Sequence, residues 1–439
     1  MATNQRPEFG RWPEGRCRLR THKAAGAKQK PVSVAFVGAI VPDSAPFRSE
    51  AFSRAGNLFQ ESVLEGLVES GLPPSIALSV EPISSFPRAS RVLIRGRRTT
   101  LPGAIEIQLM PFINITPLKQ LCLGLGVMWR LLHWSWLHRK ESRVICTYNM
   151  TVPPGLFVWL SARLSRSKIV ALLCDINIPG QTVPNGIWYR LDFWLHRCLI
   201  PRLNGAVVVA DAIAVDFAAG VPTMRMEGGI RSDILDKLRR LPRKSGNEFV
   251  IGVAGSLDTT NGIDTVLAAF RQLPGDCRLR VAGKGPLEGE VKRAAAADSR
   301  IDYLGFVSLD QVLELYSSAD VLVAMRPTKG LKTRYFFPSK VMEYLASGTP
   351  VVATATGHVE KEFGEFVYLL RDETADGLAK LLMVVRGEPA SARAERGARG
   401  NRHMATHKTW NAQAARVATF LRRVANSDTP AIEQARLNN

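Results

Sequence analysis

A hydroxyl, a cation and a carboxylate stand at helical spacing in one short stretch of the chain, at Ser339, Lys340 and Glu343. Residues three or four positions apart lie on one face of an α-helix. A carboxylate accepts hydrogen bonds from neighbouring hydroxyls, and an ammonium offsets the charge of an anion. The stretch therefore predicts a site for a sugar hydroxyl pair together with an anion. The alternative is a surface helix on which water solvates all three side chains.

The residues on either side define this helix and the strand after it. Pro338 suits the first helical position, where a missing N–H does no harm. Gly348 suits a left-handed stop, and Pro350 prevents the helix from continuing. Val351 and Val352 then begin a β-branched strand. The sequence thus predicts a loop, a short helix, a tight stop and a buried strand, in that order.

Glycine turns follow two predicted strands that come earlier in the chain. The first is Gly252-Val253-Ala254-Gly255-Ser256, after which Asn261-Gly262 opens a helix. The second is Gly283-Lys284-Gly285-Pro286. Glycine lets the backbone approach a diphosphate, which the N–H groups at a helix start then receive. We predict a phosphate site at these turns, and the alternative is a pair of tight turns that bind nothing.

Strands and helices alternate in both halves of the chain, which is typical of βαβ units with parallel sheets. A length of 439 residues is enough for two domains. We predict an α/β fold of two facing Rossmann-like doubly wound domains, with ligands bound in the cleft at the carboxyl ends of the strands. The predicted segments are a basic, disordered tail (1–30), a first domain (31–230), a linker (231–247), a second domain (248–407) and a final helix (408–426).

The order of these motifs resembles the GT-B glycosyltransferases, specifically glycosyltransferase family 4. In the second half the resemblance rests on the glycine turns, on the stretch from Phe337 to Thr354, and on Tyr303-Leu304-Gly305-Phe306 and Tyr316-Ser317-Ser318-Ala319-Asp320-Val321. In the first half it rests on Ala55-Gly56-Asn57-Leu58-Phe59-Gln60, Tyr148-Asn149, Asp175-Ile176 and Glu227-Gly228-Gly229-Ile230. His407-Lys408-Thr409-Trp410 resembles the start of the family's final helix, which crosses back to the first domain.

The resemblance implies a retaining, metal-independent transfer of a sugar from a nucleoside-diphosphate sugar to a hydroxyl acceptor. The first domain would hold the acceptor and the second domain the donor. Glu343 would bind the ribose hydroxyls, and Ser339 and Lys340 would help to hold the diphosphate. The other donor-binding positions that we expect are Gly255, Ser256, Gly283, Gly285 and Arg334. No cofactor beyond the nucleotide-sugar is expected, and scattered histidines without an HExxH motif predict no metal site.

Asp175 follows Cys174 at the carboxyl end of a predicted strand, where members of the family often have a His-Asp pair. Functional groups collect at that end of a parallel sheet. We expect Asp175 to orient the acceptor hydroxyl or the transferred sugar, and we count it as catalytic together with Lys340 and Glu343. A helix or turn cap is the alternative role of Asp175. We interpret Cys174 as a packing residue, because nothing strongly electropositive surrounds it.

Three positions depart from the family pattern. Tyr335 stands where many members have the first of two glutamates eight positions apart. Ser256 and Asn261 stand where many members have an arginine and a lysine. The basic residues just before the helix offer substitutes, unless they form a solvated loop: Arg326, Lys329, Lys332 and Arg334. These departures leave open a catalytically degenerate GT-B protein that binds nucleotide or glycan without turnover.

The chain is strongly basic, with 58 Lys and Arg against 39 Asp and Glu and a net charge of +19. Such a charge indicates an anionic partner. No RNA-binding aromatic motif or recognition-helix pattern occurs in the sequence, so we expect no nucleic acid as partner. A nucleic-acid binder nevertheless stays the rival class that the charge alone suggests.

Residues 118–140 are apolar, rich in tryptophan and basic at their ends, and residues 188–202 have the same character. Lys119 and Arg130 disfavour a membrane-spanning helix, since a charge inside the bilayer is expensive. A helix lying at an anionic lipid surface and a helix in the protein core are the two interpretations. We predict a cytoplasmic protein, peripheral at the inner face of the cell membrane, with a glycan or lipid-linked acceptor.

Overall fold

The computed structural model describes residues 30–42, 44, 47, 52–150, 154–242, 248–329, 335 and 339–427. Two large β-sheets form, one within residues 32–225 and one within residues 249–370, and Leu93–Ile94 pairs with Phe112–Ile113 in a small antiparallel sheet. Apart from Lys30, the predicted basic tail over residues 1–30 lies outside the described residues and stays a sequence prediction.

The strands of the first half are β1 (Val32–Gly38), β2 (Ile76–Ser79), β3 (Leu93–Ile94), β4 (Arg97–Leu101), β5 (Ile105–Leu109), β6 (Phe112–Ile113), β7 (Ser142–Tyr148), β8 (Lys168–Leu173), β9 (Gly205–Val208) and β10 (Thr223–Arg225). The strands of the second half are β11 (Phe249–Ser256), β12 (Cys277–Lys284), β13 (Ile301–Gly305), β14 (Val321–Ala324), β15 (Val351–Thr354) and β16 (Val367–Leu370). The first sheet has the order β10-β9-β8-β7-β1-β2-β5-β4, and the second has the order β13-β12-β11-β14-β15-β16. All pairs in both sheets are parallel except β4 with β5.

The helices are α1 (Arg54–Glu69), α2 (Leu118–Leu137), α3 (Pro154–Ser165), α4 (Ile187–Leu199), α5 (Asp211–Phe217), α6 (Ser232–Arg240), α7 (Ile263–Phe270), α8 (Glu288–Ala297), α9 (Leu309–Ser318), α10 (Ser339–Ser347), α11 (Val359–Phe363), α12 (Ala375–Gly387), α13 (Ala390–His407) and α14 (Trp410–Ala425). Within the described ranges, no helix combines the length and the apolar character that a bilayer crossing requires.

Helices cover both faces of the first sheet, because side chains alternate in direction along its strands. On β1, Ala35 belongs to one apolar core with residues of α2, α3, α4 and α5. Its neighbour Phe36 belongs to a second core with residues of α1 and α14. The first domain is therefore doubly wound, and the last helix of the chain supplies part of its core.

The second sheet is covered in the same way. Ile251 of β11 packs in a core with α7 and α12, whereas Val250 packs in a core with α6, α9, α10 and α13. The strand order reverses between β11 and β14, and such a reversal opens a crevice at the carboxyl ends of the strands. The predicted pair of doubly wound α/β domains is thus present.

The segment that we predict as a linker, residues 231–247, contains the helix α6. Leu235 and Leu238 are three positions apart, and both are buried in the core of the second sheet that also contains Leu345. The polar and basic majority of α6 conceals this short apolar stripe in the sequence. The start of this segment is therefore packed helix, and residues 243–247 lie outside the described residues.

A buried charge cluster joins the two domains. Three nitrogen atoms lie within ion-pair distance of the Glu227 carboxylate: Nε of Arg225 at 2.8 Å, Nζ of Lys408 at 3.1 Å and Nε2 of His358 at 3.0 Å. Lys408 also lies 2.8 Å from Glu362. Burial raises the pKa of Glu227, but the contacts with His358 and Lys408 have a larger, opposite effect. The pKa of Glu227 therefore lies well below its usual range. Residues from β10, α11 and the end of α13 are thereby held together.

Candidate active site

Lys340 and Glu343 meet on the first turns of α10. Nζ of Lys340 lies 2.8 Å from Oε2 of Glu343 and 3.3 Å from the hydroxyl oxygen of Tyr316. The Tyr316 hydroxyl donates to the same Oε2 at 3.1 Å. Burial and the nearby Glu343 raise the pKa of Tyr316, which therefore stays a neutral donor. The cation and the carboxylate are partly exposed, so a ligand can reach both.

A cavity of about 230 Å³ opens beside the start of α10. It lies at the carboxyl ends of β11 and β14, the two strands between which the sheet order reverses. Open α/β sheets bind their ligands at this position. The polar and glycine residues that line it are Gly255, Ser256, Asn261, Arg326, Ser339 and Lys340.

A second cavity, of about 360 Å³, adjoins the first and shares Gly255, Ser256 and Lys340 with it. Gly283, Lys284 and Phe306 form part of its other wall. Nζ of Lys284 lies 4.6 Å from the centre of the exposed Phe306 ring. The two cavities therefore make one groove, with polar and apolar walls, that runs across the ends of β12, β11 and β14.

The glycines of both turns have a packing role of their own. Gly283 has a φ of +143°, and a Cβ there would lie 1.8 Å from the carbonyl oxygen of Gly255. A Cβ on Gly285 would lie 2.4 Å from the carbonyl oxygen of Leu257. Gly255 has a φ of +147°, which residues with a side chain rarely adopt. Close backbone approach thus explains these glycines, and phosphate binding by them stays a prediction.

Replacing Gly283 with alanine is expected to lower the free energy of unfolding by about 2–5 kcal/mol, because the new Cβ adds backbone strain and overpacking. Chemical denaturation of the full chain measures the change. Gly275 is the matched control, since it is exposed and a Cβ there meets nothing within 4 Å. Equal unfolding curves for Gly283→Ala and Gly275→Ala would contradict the steric argument.

Ser256 and Asn261, which stand in place of the family's cations, both bind Asp258. The Ser256 hydroxyl donates to Oδ2 of Asp258 at 2.5 Å. The backbone N–H and the side-chain amide of Asn261 each donate to Oδ1 of Asp258 at 2.9 Å. Because a serine has a single O–H, Ser256 offers a ligand only its lone pairs in this arrangement. Sequence analysis did not single out Asp258.

The basic loop before α10 is described only in part. Arg334, Lys332 and Pro338 lie outside the described residues, so the predicted donor contact of Arg334 stays a prediction. Arg326 lines the first cavity, and Lys329 is exposed.

Tyr335 contacts the first domain and is not among the residues that line the groove. Its hydroxyl donates to Oδ2 of Asp216 at 2.6 Å. Its ring packs edge-on against Phe217, with 5.6 Å between the ring centres. The position that holds an acid in many family members is therefore an interdomain contact in this chain.

Asp175 lies in the other domain, in a cavity of about 290 Å³ at the carboxyl ends of β1, β7 and β8. The first sheet reverses its strand order between β1 and β7, so this cavity too occupies a switch point. Its wall includes Asn57, Gln60, Tyr148 and Asn149 as well as Asp175. The structure thus brings Ser339, Lys340, Gly255, Ser256 and Gly283 together at the groove of the second domain. Glu343 lines neither cavity and contacts Lys340, and Asp175 lies in the first domain.

Asn149 holds the segment that carries Asp175. Its Oδ1 accepts the backbone N–H groups of Cys174 at 2.9 Å and Asp175 at 3.3 Å. Its φ is +49°, a left-handed conformation that asparagine tolerates better than most residues. In the sequence, an asparagine directly after the strand residue Tyr148 is the available signal for this role.

Burial raises the pKa of the Asp175 carboxyl, and a hydrogen bond from the Asn149 side chain opposes that change. Burial and the neighbouring Asp175 raise the pKa of the Cys174 thiol. A thiol that keeps its proton is a poor nucleophile, which supports the packing interpretation of Cys174. Among the described residues, no three or more His, Cys, Asp or Glu side chains are grouped in a way that would hold a metal ion.

The family model described as Glycosyl transferases group 1 matches residues 248–384, which include the groove and α10. Solved structures of similar fold cover nearly the whole chain. One is Anabaena Alr3699/HepE in complex with UDP, with a TM-score of 0.60 and 14% identity over 89% of this chain and 99% of that one. The chain has the GT-B fold, and its second half is similar to the group 1 glycosyltransferases. The predicted resemblance and the predicted fold class are thereby confirmed.

Two further proteins are similar to this chain, one in fold and one in sequence. Sucrose-phosphate synthase from Thermosynechococcus elongatus has a TM-score of 0.59 and 15% identity over 89% of this chain and 99% of that one. A curated relative is the GDP-mannose-dependent alpha-(1-6)-phosphatidylinositol dimannoside mannosyltransferase of Mycobacterium tuberculosis, 38% identical over 91 residues. That match spans 20% of this chain and 22% of the relative. The individual site residues of the group 1 domain remain predictions.

Proposed function

We propose that the protein is a family 4-like glycosyltransferase that moves a sugar from a nucleoside-diphosphate sugar to a hydroxyl acceptor with retention. The observation that carries this proposal is the Lys340–Glu343 pair, 2.8 Å apart on the first turns of α10, in which Lys340 lines the groove. On donor binding, Glu343 accepts hydrogen bonds from the ribose hydroxyls, and Lys340 turns toward the diphosphate. No metal ion and no cofactor besides the donor take part in the proposed reaction.

In the proposed reaction the bond between the anomeric carbon and the diphosphate breaks, and a bond to the acceptor oxygen forms. The nucleoside diphosphate leaves with the electron pair, and the proton of the acceptor hydroxyl passes to an oxygen of the departing diphosphate. Lys340 and the N–H groups at the start of α10 stabilise the charge that grows on the leaving group. Asp175 orients the acceptor hydroxyl from the first domain. Closure of the two domains excludes water, which reduces hydrolysis of the donor.

The acceptor that we propose is a glycan or lipid-linked glycan at the cytoplasmic face of the membrane, in polysaccharide or glycolipid synthesis. Two observations support this class of acceptor. The mycobacterial relative is named for transfer to a phosphatidylinositol mannoside. The net charge of +19 suits a partner that carries phosphate or other anionic groups.

A donor screen tests the proposal. The full chain is incubated with UDP-, GDP- and ADP-sugars, binding is followed by thermal shift, and released nucleotide is measured with and without a lipid-linked glycan extract. We expect one nucleotide class to stabilise the chain and its release to increase with acceptor. Salt-sensitive binding of DNA or RNA, without binding of any nucleotide-sugar, would instead support the nucleic-acid class.

A catalytically degenerate GT-B protein is the second candidate, and particular contacts favour it. The Asp258 carboxylate stands next to Ser256 and Asn261, where the family has cations. Tyr335, in place of an acid, is turned toward Asp216 of the first domain. Binding of a nucleotide-sugar without release of nucleotide, in the presence of the acceptor extract, would establish this candidate in place of the enzyme.

A further inference from the structure

Helix α2 is apolar on two opposite faces. The inner face packs in the core of the first domain through Leu123, Val127, Leu131 and Trp134. The outer face exposes a second apolar row at spacings of three, four and seven residues: Leu118, Leu121, Leu125, Trp129 and Trp136. Sequence analysis left open whether this helix belongs to the core or to a membrane surface. The structure shows that one face is core and that the other is uncovered.

Helix α4 repeats the arrangement. Its inner residues His196 and Leu199 are buried, whereas its outer face exposes Ile187, Trp188, Leu191 and Trp194. Helix α3 contacts both α2 and α4, and all three helices pack on the same face of the first sheet. The exposed fractions of the four outward tryptophans are 72% for Trp129, 60% for Trp136, 68% for Trp188 and 59% for Trp194. We call the outward rows of α2 and α4 the tryptophan face.

Basic residues outnumber acidic ones around the tryptophan face, where Glu141 after α2 is a partly exposed acid that pairs with His138. Exposed basic residues occur on α2, α3 and α4 and directly after α2: Arg130, Arg139, Lys140, Arg163, Arg190 and Arg197. Within the sequences of these three helices the acidic residue is Asp192, which is buried and receives a hydrogen bond from Asn177 at 3.1 Å. Guanidinium groups also stack on the exposed rings, as Arg139 does on Trp136 at 5.1 Å.

We propose that the tryptophan face docks the first domain on an anionic lipid bilayer. Tryptophan rings prefer the level of the lipid headgroups, and Arg and Lys beside them contact lipid phosphates. A large exposed apolar area calls for a partner. A second copy of this chain is a poor match, because a face paired with itself would bring arginines against arginines.

Docking in this way places the membrane beside the Asp175 cavity. Helix α4 is hydrogen-bonded to the two segments that carry Asp175 and Asn149, which line the cavity of the first domain. Asn177, two residues after Asp175, donates to Asp192 of α4, and Nε2 of His196 donates to the carbonyl of Met150, next to Asn149, at 2.6 Å. Gly155 at the start of α3 lines the cavity itself. An acceptor anchored in the bilayer would then present its headgroup at Asp175, an inference that rests on the proposed function.

Vesicle binding by the full chain tests the docking itself, without any sugar donor. Vesicles of phosphatidylcholine with and without phosphatidylglycerol are sedimented with the protein. We expect binding that needs phosphatidylglycerol and weakens with salt. Arg163→Glu and Arg190→Glu together should lower partitioning by more than about tenfold, since each basic residue near an anionic surface contributes roughly fivefold.

Trp129→Ser with Trp194→Ser should abolish most of the remaining binding. Val384→Ser is the matched control, because Val384 is equally exposed but lies on α12 of the second domain. Unchanged binding by the tryptophan variants would assign the interaction to another part of the chain and overturn the proposal. Absence of vesicle binding, or self-association that the tryptophan variants relieve, would overturn it as well. None of these failures would affect the donor screen.

Discussion

Replacing Glu343 with alanine is expected to weaken nucleotide-sugar binding by about 10- to 100-fold, because hydrogen bonds to a charged group contribute roughly 1.5–3 kcal/mol. Calorimetry with the donor selected by the screen measures the loss. Turnover at low donor concentration should fall by a similar factor. The fold should persist, since Glu343 is partly exposed on a helix that tolerates alanine.

Two further variants make this result specific. Glu343→Gln keeps an acceptor for the buried Tyr316 hydroxyl, so it should unfold like the parent and still bind donor weakly. Glu290→Ala removes an exposed glutamate from α8 of the same domain and should leave donor binding unchanged. Donor affinity in Glu343→Ala equal to that of the parent would refute the assignment of Glu343 to the ribose.

Asp175→Asn should lower kcat by about 10²- to 10⁴-fold, the range that a positioned acid or base contributes. Donor affinity should stay the same, because Asp175 lies in the cavity of the first domain and the groove proposed to bind the donor lies in the second. Steady-state kinetics with the lipid-linked acceptor separates the two effects. Asp264→Asn, at an exposed position of α7, is the control. A loss of donor affinity without a loss of kcat would contradict the role of Asp175.

The raised pKa of Asp175 adds a pH dependence to this prediction. Activity should fall as the pH drops through this raised pKa, at a higher pH than for an exposed carboxyl. A carboxyl whose pKa is raised by folding stabilises the fold below its unfolded pKa and loses that contribution as the pH rises through the folded value. Asp175→Asn should therefore melt at or above the parent temperature at neutral pH, whereas a purely structural cap would leave the variant less stable.

The parts of this site that local spacing determines could be predicted from the sequence. Ser339, Lys340 and Glu343 lie on one helix, so their spacing alone brings them together. Tyr316, which donates to Glu343, comes from α9, and no local pattern connects the two residues. The same holds for Asn149 and Asp175, which come from neighbouring strands, and for Tyr335, whose partner Asp216 belongs to the other domain.

A short apolar stripe among charged residues is hidden in the composition of a segment. Leu235 and Leu238 bury α6 in a segment whose polar residues favour a linker. Composition also could not separate the two faces of α2. The core interpretation is right for one face of this helix, and the surface interpretation is right for the opposite face. Residue spacing along the sequence cannot predict a contact between distant segments, because that contact exists only in the folded chain. It also cannot tell which face of an apolar helix is buried and which is exposed.

The chain passes between its domains twice, and the two passages are hydrogen-bonded to each other. The N–H of Ile230 donates to the carbonyl of Lys408 at 2.8 Å, and the N–H of Trp410 donates to the carbonyl of Ile230 at 3.2 Å. The second domain is thus inserted into the first, and the insertion begins and ends at a single short ribbon. Removing α14 would therefore remove the helix that follows the return passage and, with it, part of the apolar core of the first domain.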